Sequence, residues 1–194
     1  MKKSLMNQHQ KNQKSNDKTT KKLLIVAIHG NEPCGLLAFN ELIKERYFEQ
    51  NSIDNFSVLV GNPIALKQST RFIDINLNRC FNEPFNKESS LYEIYRAATV
   101  GEAIKQCDEF LDIHSTSSSS PPFALPTNNT SSMKLAELLP VEFIVDKLVH
   151  NTISSGTTMD YGLKYNKVGV AVECGQHDAR STIDNAKEII KQFL

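Results

Sequence analysis

Short runs rich in Val, Ile and Leu alternate with longer stretches that repeat with a helical period, and this alternation constrains the chain more than any other feature. It is the pattern of a sheet covered by helices on its faces. Strands are expected at residues 23–28, 56–60, 109–113, 143–149 and 168–173, with a weaker one at 123–125. Most are nearly continuous apolar runs, as parallel strands buried on both faces require. The fold class is therefore α/β, a three-layer α/β/α arrangement around a mostly parallel, mixed sheet. Helices are expected at 33–48, with Leu36, Leu37, Phe39, Leu42 and Ile43 as the buried stripe, at 91–107 with Ser89 or Ser90 as cap, and at 133–139 and 182–193. The stretch 61–84 has no clear period and reads as a long functional loop.

A chain of 194 residues supports one substantial core. Its first 22 residues are dominated by Lys, Asn, Gln, Ser and Thr and read as a disordered polar tail, leaving 23–194 as the single folded domain. Acidic and basic residues balance at 22 each, so no net field draws a nucleic acid or an anionic membrane. No apolar stretch reaches the roughly 20 residues of a membrane-spanning helix. The partner expected is a small molecule. No apolar segment follows Lys2 and Lys3, which points away from a secretory leader and toward the cytoplasm. There Cys34, Cys80, Cys107 and Cys174, which form no Cys-x-x-Cys pair, stay reduced.

Three strand ends carry the chemistry. His29 and Glu32 follow the first strand, His114 the one beginning at Glu109, and Glu173 ends the last. Side chains at the carboxyl ends of strands in an open α/β sheet converge even when distant in sequence. Two imidazoles and a carboxylate form a set that leaves a catalytic zinc one open position. Asp112 is either a support for an imidazole or an ordinary strand-end carboxylate. Arg71 and Arg79, with Asn78 between them, suit a substrate carboxylate, the plainer alternative being surface pairing with Asp74 and Glu83. His150 and His177 read as non-ligands. The serine run 117–120 reads as a loop starting directly after His114, and no Gly-x-Ser-x-Gly elbow supports a serine hydrolase.

These residues fall in motifs: His29-Gly30-Asn31-Glu32, Gly61-Asn62-Pro63, Arg71-Phe72 leading to Leu77-Asn78-Arg79-Cys80-Phe81, Leu111-Asp112-Ile113-His114, and Val172-Glu173-Cys174-Gly175. In order and spacing, from about residue 23 to 193, they resemble the succinylglutamate desuccinylase/aspartoacylase family, relatives of the zinc carboxypeptidases. The resemblance implies a zinc carboxypeptidase-like fold and a zinc-dependent hydrolase that cuts the amide of an N-acylated acidic amino acid of the N-succinylglutamate or N-acetylaspartate type. It implies one zinc ion on His29, Glu32 and His114, Glu173 as general base, Arg71 as partner of the scissile carbonyl, and Asn78 and Arg79 as holders of a substrate carboxylate. Two departures stand out. Aspartoacylases carry a further substrate-binding arginine before the catalytic glutamate. This chain has none between Arg96 and Arg180, leaving Lys164 as a substitute or a different acid as substrate. Typical members also continue into a smaller, mostly β region, so a catalytic core without it is expected. A carboxypeptidase- or esterase-like hydrolase, and a shortened non-catalytic binder of zinc or ligand, are the alternatives. The oligomeric state is not indicated.

Overall fold

The fold was obtained as a computed structural model, and the structure describes residues 20–85, 88–146 and 155–194. Six strands form one sheet: β1 (Lys22–Val26), β2 (Phe56–Val60), β3 (Glu109–Thr116), β4 (Phe123–Pro126), β5 (Phe143–Ile144) and β6 (Val168–Gln176). Their order is β2-β1-β3-β6-β4-β5. The first four of these run parallel, β4 lies antiparallel to β6, and β5 is parallel to β4. The mixed, mostly parallel sheet expected from the apolar runs is what forms.

Alternation along the strands sorts side chains into two cores. Leu24, Val26, Leu111, Ile113, Val170 and Val172 face one side, under α1 (Cys34–Lys44), α5 (Thr130–Leu138) and α7 (Arg180–Phe193). Leu23, Ile25, Phe110 and Ala171 face the other, under α4 (Tyr92–Gln106) and α6 (Thr158–Lys164). Asp112, His114 and Glu173 share the parity of Phe110 and Ala171, so the strand-end polar groups emerge on the α4/α6 side. Cys174 joins the opposite core, as alternation requires, and all four cysteines are free.

Several elements differ from the pattern-based expectation, each for a local reason. The 33–48 helix is split into α1 and α2 (Tyr47–Gln50) by Arg46, whose φ of 57° is left-handed. The buried face of α1 is Cys34, Gly35, Ala38 and Leu42, while Leu37 and Ile43 are exposed. Small residues bring this helix onto the sheet: a Cβ at Gly35 would lie 2.8 Å from Ile113 Cβ. The 91–107 helix starts without a side-chain cap of its own; Asp74 Oδ2 accepts the Tyr92 amide at 2.8 Å and Ser89 Oγ that of Leu91. The unpatterned 61–84 stretch holds α3 (Pro63–Gln68), capped by Asn62, and a 3-10 turn at Leu77–Arg79. Neither is long enough to show a period. The capping box of Thr157 and Asp160 opens α6, which apolar spacing did not suggest. Of the strand expected at 143–149, residues 143–146 are described, and only Phe143–Ile144 form a strand, β5. Residues 147–149, His150 and most of the N-terminal tail lie outside the described residues.

Candidate metal centre and substrate cavity

The first strand ends at Val26, and Ala27, at φ 54°, turns the chain out of the sheet. Gly61 N and Asn62 N donate to the carbonyls of Val26 and Ala27, pinning this exit against the end of β2. Gly30 is required by space: a Cβ there would lie 2.1 Å from the Ala65 carbonyl carbon. A turn closed by Glu32 N on His29 O then brings the two side chains together, with His29 Nδ1 2.9 Å from Glu32 Oε1. His114 arrives from β3, its Nδ1 2.9 Å from Glu32 Oε2. The three residues are buried, and their ligand atoms lie within 4.8 Å of one another.

The far side of each ring fixes which nitrogen faces Glu32. Asn76 Oδ1 accepts the Asn78 amide at 2.9 Å and lies 3.0 Å from His29 Nε2, so Nε2 is the donor there. Neutral His29 therefore turns an Nδ1 lone pair toward Glu32, and that atom finds no hydrogen-bond partner. His114 Nε2 lies 3.1 Å from Asp112 Oδ2, which leaves its Nδ1 facing the same carboxylate. Asp112 is fully buried and also accepts from Thr158 Oγ1 at 2.6 Å. It takes the supporting position because β3 continues to Thr116, keeping 112 and 114 on one face. Acceptors converging on one point are a donor set for a cation.

Charge follows the same geometry. Burial opposes ionisation of Glu32, but the imidazoles of His114 and His29 packed against its two oxygens hold its carboxyl well below the usual range. Burial pushes His29 down, helped by the neighbouring charges of His114 and Arg71, against the pull of Glu32. Burial opposes charge on His114 too, yet Asp112 and Glu32 outweigh it and raise the imidazole well above its ordinary value. Arg71 Nη1 donates to Glu32 Oε1 at 2.7 Å. The surface pairing weighed for the arginines does not form: Asp74 caps α4, and Glu83 binds lysines and tyrosines.

Glu173 sits directly opposite His114 in the β3–β6 register. Burial raises its carboxyl above the ordinary value, with the charges of Glu32 and Asp112 adding to the effect against His114 and Arg71, and Oε2 has no partner. A cavity of about 190 Å3 joins His29, His114 and Glu173 to Arg71, Asn78 and Arg79. Clefts of about 320 and 610 Å3 elsewhere contain none of these residues. The cavity also takes in residues that sequence reasoning missed: Leu125, Thr157, Thr158, Met159 and Ala171. Leu125 and Ala171 face each other across β4 and β6, and only the strand pairing reveals them. Lys164 does not join: its Nζ binds Glu83 at 3.0 Å. His177 bonds Ser115 Oγ at 2.8 Å, and the loop expected directly after His114 begins only beyond Thr116.

The same architecture is found in solved proteins. The family model for the succinylglutamate desuccinylase/aspartoacylase catalytic domain matches residues 18–194. This chain belongs to that family. A probable aspartoacylase of Prochlorococcus marinus (strain MIT 9515) is 33% identical over 100 residues, covering 48% of this chain and 33% of the relative. A succinylglutamate desuccinylase of Shewanella piezotolerans is 39% identical over 70 residues, 36% of this chain and 20% of that protein. Among structures, an ectoine utilization protein of Ruegeria pomeroyi superposes with a TM-score of 0.72 at 20% identity, over 90% of this chain and 56% of its own. Murine aminoacylase 3 gives 0.59 at 21%, over 90% and 65%. The matches span a third or less of these two curated relatives and somewhat over half of the solved chains. The family is named for succinylglutamate desuccinylases and aspartoacylases, and the zinc carboxypeptidase-like fold is common to the desuccinylase structures and this chain. Among the described residues, no helix is long and apolar enough to cross a membrane.

Proposed function

We propose that this chain is a zinc-dependent hydrolase of the desuccinylase/aspartoacylase type, cutting the amide bond of an N-acyl amino acid whose carboxylate is held by Asn78 and Arg79. The observation that carries the reading is the convergence of acceptors from His29, Glu32 and His114 beside the unpartnered oxygen of Glu173, in one cavity with two arginines. The two curated relatives are named for acidic substrates, aspartate and succinylglutamate derivatives, which supports an acidic amino acid here.

His29, Glu32 and His114 would hold the ion, and Asn76 and Asp112 would fix the two rings. When bound there, zinc would supply Lewis acidity to activate water and polarise the carbonyl. Glu173 takes a proton from the attacking water and returns it to the leaving nitrogen, so that a C–O bond forms as the C–N bond breaks. Arg71 places positive charge where the carbonyl oxygen becomes negative. Leu125, Met159 and Ala171 give the cavity an apolar wall for the uncharged part of the substrate.

Purified protein should hold close to one zinc per chain, and Glu173→Ala should keep the metal while losing hydrolysis of N-acetylaspartate and N-succinylglutamate. Full zinc occupancy in a His29→Ala, His114→Ala double variant would overturn the site. The second reading is a non-catalytic binder of the same ligands, which would use the same buried cluster and cavity. Ligand binding by calorimetry without turnover of N-acyl amino acids, peptides or esters distinguishes it.

A further inference from the structure

Resting on that reading, we propose that two carboxylates outside the cavity are positioning residues that divide the loop 71–83 between them. Glu93 holds the half bearing Arg71 and Asn76, and Glu83 holds the half bearing Asn78 and Arg79. Neither contacts the cavity.

Glu93 is fully buried on α4. Its Oε1 accepts from Ile73 N at 2.7 Å and Asn62 Nδ2 at 3.0 Å, and its Oε2 from Asp74 N at 3.1 Å and Ile75 N at 3.3 Å. Residues 73–75 lie outside any helix or strand, so their three successive amides have no ladder to join and are satisfied instead by the one carboxylate of Glu93. The hydrogen bonds outweigh the cost of burial and keep the Glu93 carboxyl below its ordinary value. The amides lie between Arg71 and Asn76, the residue that orients His29. The path from Glu93 to the cavity is therefore one short, rigid piece of backbone.

Glu83 lies four residues beyond Arg79. It accepts from Tyr161 at 2.6 Å, Tyr165, Lys105 at 2.7 Å and Lys164 at 3.0 Å, tying the end of the loop to both α4 and α6. Two nearer bonds complete the attachment: Phe81 N donates to Gly156 O, and Thr158 N to Asn78 Oδ1, both at 3.0 Å. The second bond consumes the Asn78 oxygen and leaves its amide nitrogen as the free end. The carboxylate-holding turn is thus referenced to α6 as well as to Lys105 of α4, whereas the Arg71 half is referenced to α4 through Glu93.

The separation predicts different kinetic signatures. With zinc-loaded full-length protein and N-acetylaspartate, Glu93→Gln should lower kcat about tenfold with KM changed less than twofold. Glu83→Gln should raise KM about tenfold with kcat changed less than twofold. Two readouts need no turnover. Chelator competition should show zinc held about tenfold more weakly in Glu93→Gln and unchanged in Glu83→Gln. Adding Asn76→Ala to Glu93→Gln should cost no further affinity, because both act on His29. Calorimetry with N-acetylaspartate should show about tenfold weaker binding in Glu83→Gln alone. If a variant does not fold, Glu93→Asp and Tyr165→Phe replace it with smaller shifts of the same kind. Equal loss of every parameter in proportion to unfolded protein, unchanged zinc affinity in Glu93→Gln, or exchanged signatures would overturn the proposal. Absence of turnover in the parent protein, with the two binding differences intact, would instead remove the hydrolase reading.

Discussion

Asp112→Asn isolates the support of the metal ligand from everything else in the site. Asp112 has no solvent exposure, and asparagine has nearly its shape, so the substitution opens no cavity. What changes is acceptor capacity. In the native arrangement Oδ2 serves both His114 Nε2, at 3.1 Å, and Thr158 Oγ1, at 2.6 Å. An amide has one oxygen and no charge; if that oxygen stays with Thr158, His114 loses the anion that fixes its Nε2–H form and turns Nδ1 toward Glu32. Losing such a partner weakens metal binding about 10- to 100-fold, which is roughly 1.4–2.7 kcal/mol at 1.36 per decade. Chelator competition on protein checked by circular dichroism measures it directly. Zinc affinity within twofold of the parent, in a folded variant, refutes the argument that Asp112 orients His114.

Glu173→Gln should keep the metal and lower kcat/KM by about 10²–10⁴, the usual share of a positioned base. Burial raises Glu173 above its ordinary 4.5 in the metal-free protein, so there it should take up its proton above that pH, a step seen by carboxyl titration that the glutamine variant should lack. Gly169→Ala places a Cβ 2.3 Å from two ring atoms of Phe110 and should cost about 1–3 kcal/mol. That is a drop of roughly 2–12 °C in Tm for a domain of this size, and Phe110→Leu should recover part of it. Lys105, Tyr161 and Tyr165 hold the Glu83 carboxyl well below its ordinary 4.5 when folded. Its stabilising share is therefore complete above that pH and lost as pH falls, so Glu83→Gln should flatten the acid side of stability measured by urea unfolding.

The layers and the donor set were legible in sequence because each follows from a short-range rule. Continuous apolar runs mark buried parallel strands, and a strand end followed by His-x-x-Glu marks a turn that aims two ligands the same way. The supports were not legible. Asn76 and Glu93 act through a loop with no period, and nothing in Asn76-Leu77-Asn78 announces that one amide oxygen binds a ring 47 residues earlier. The Leu125 and Ala171 wall depends on an antiparallel partner for β6 that a weak three-residue run could only suggest. Of the stripe expected on α1, Leu42 is buried and Leu36 and Phe39 pack against the core, while Leu37 and Ile43 are exposed, because close approach to the sheet selects the small Gly35 and Ala38 instead of the largest apolar groups.

The position of the site is a consequence of register. β1, β3 and β6 are neighbours, and each delivers one part of the machinery from its carboxyl end: the His29 turn, His114 and Glu173. Adjacent strands lie about 4.8 Å apart. Glu173, proposed as the base, and His114, proposed as a metal ligand, stand directly opposite each other in the register and are then separated by about one strand spacing. A slip of one residue in β6 would put Val172 or Cys174 in place of Glu173 and turn every side chain of that strand to the other face. Gly169 opposes such a slip. It pairs with Phe110, lies under the ring where no other side chain fits, and donates its amide to Ser132 Oγ at 3.0 Å. A glycine four residues before the base thus fixes which residue the base can be.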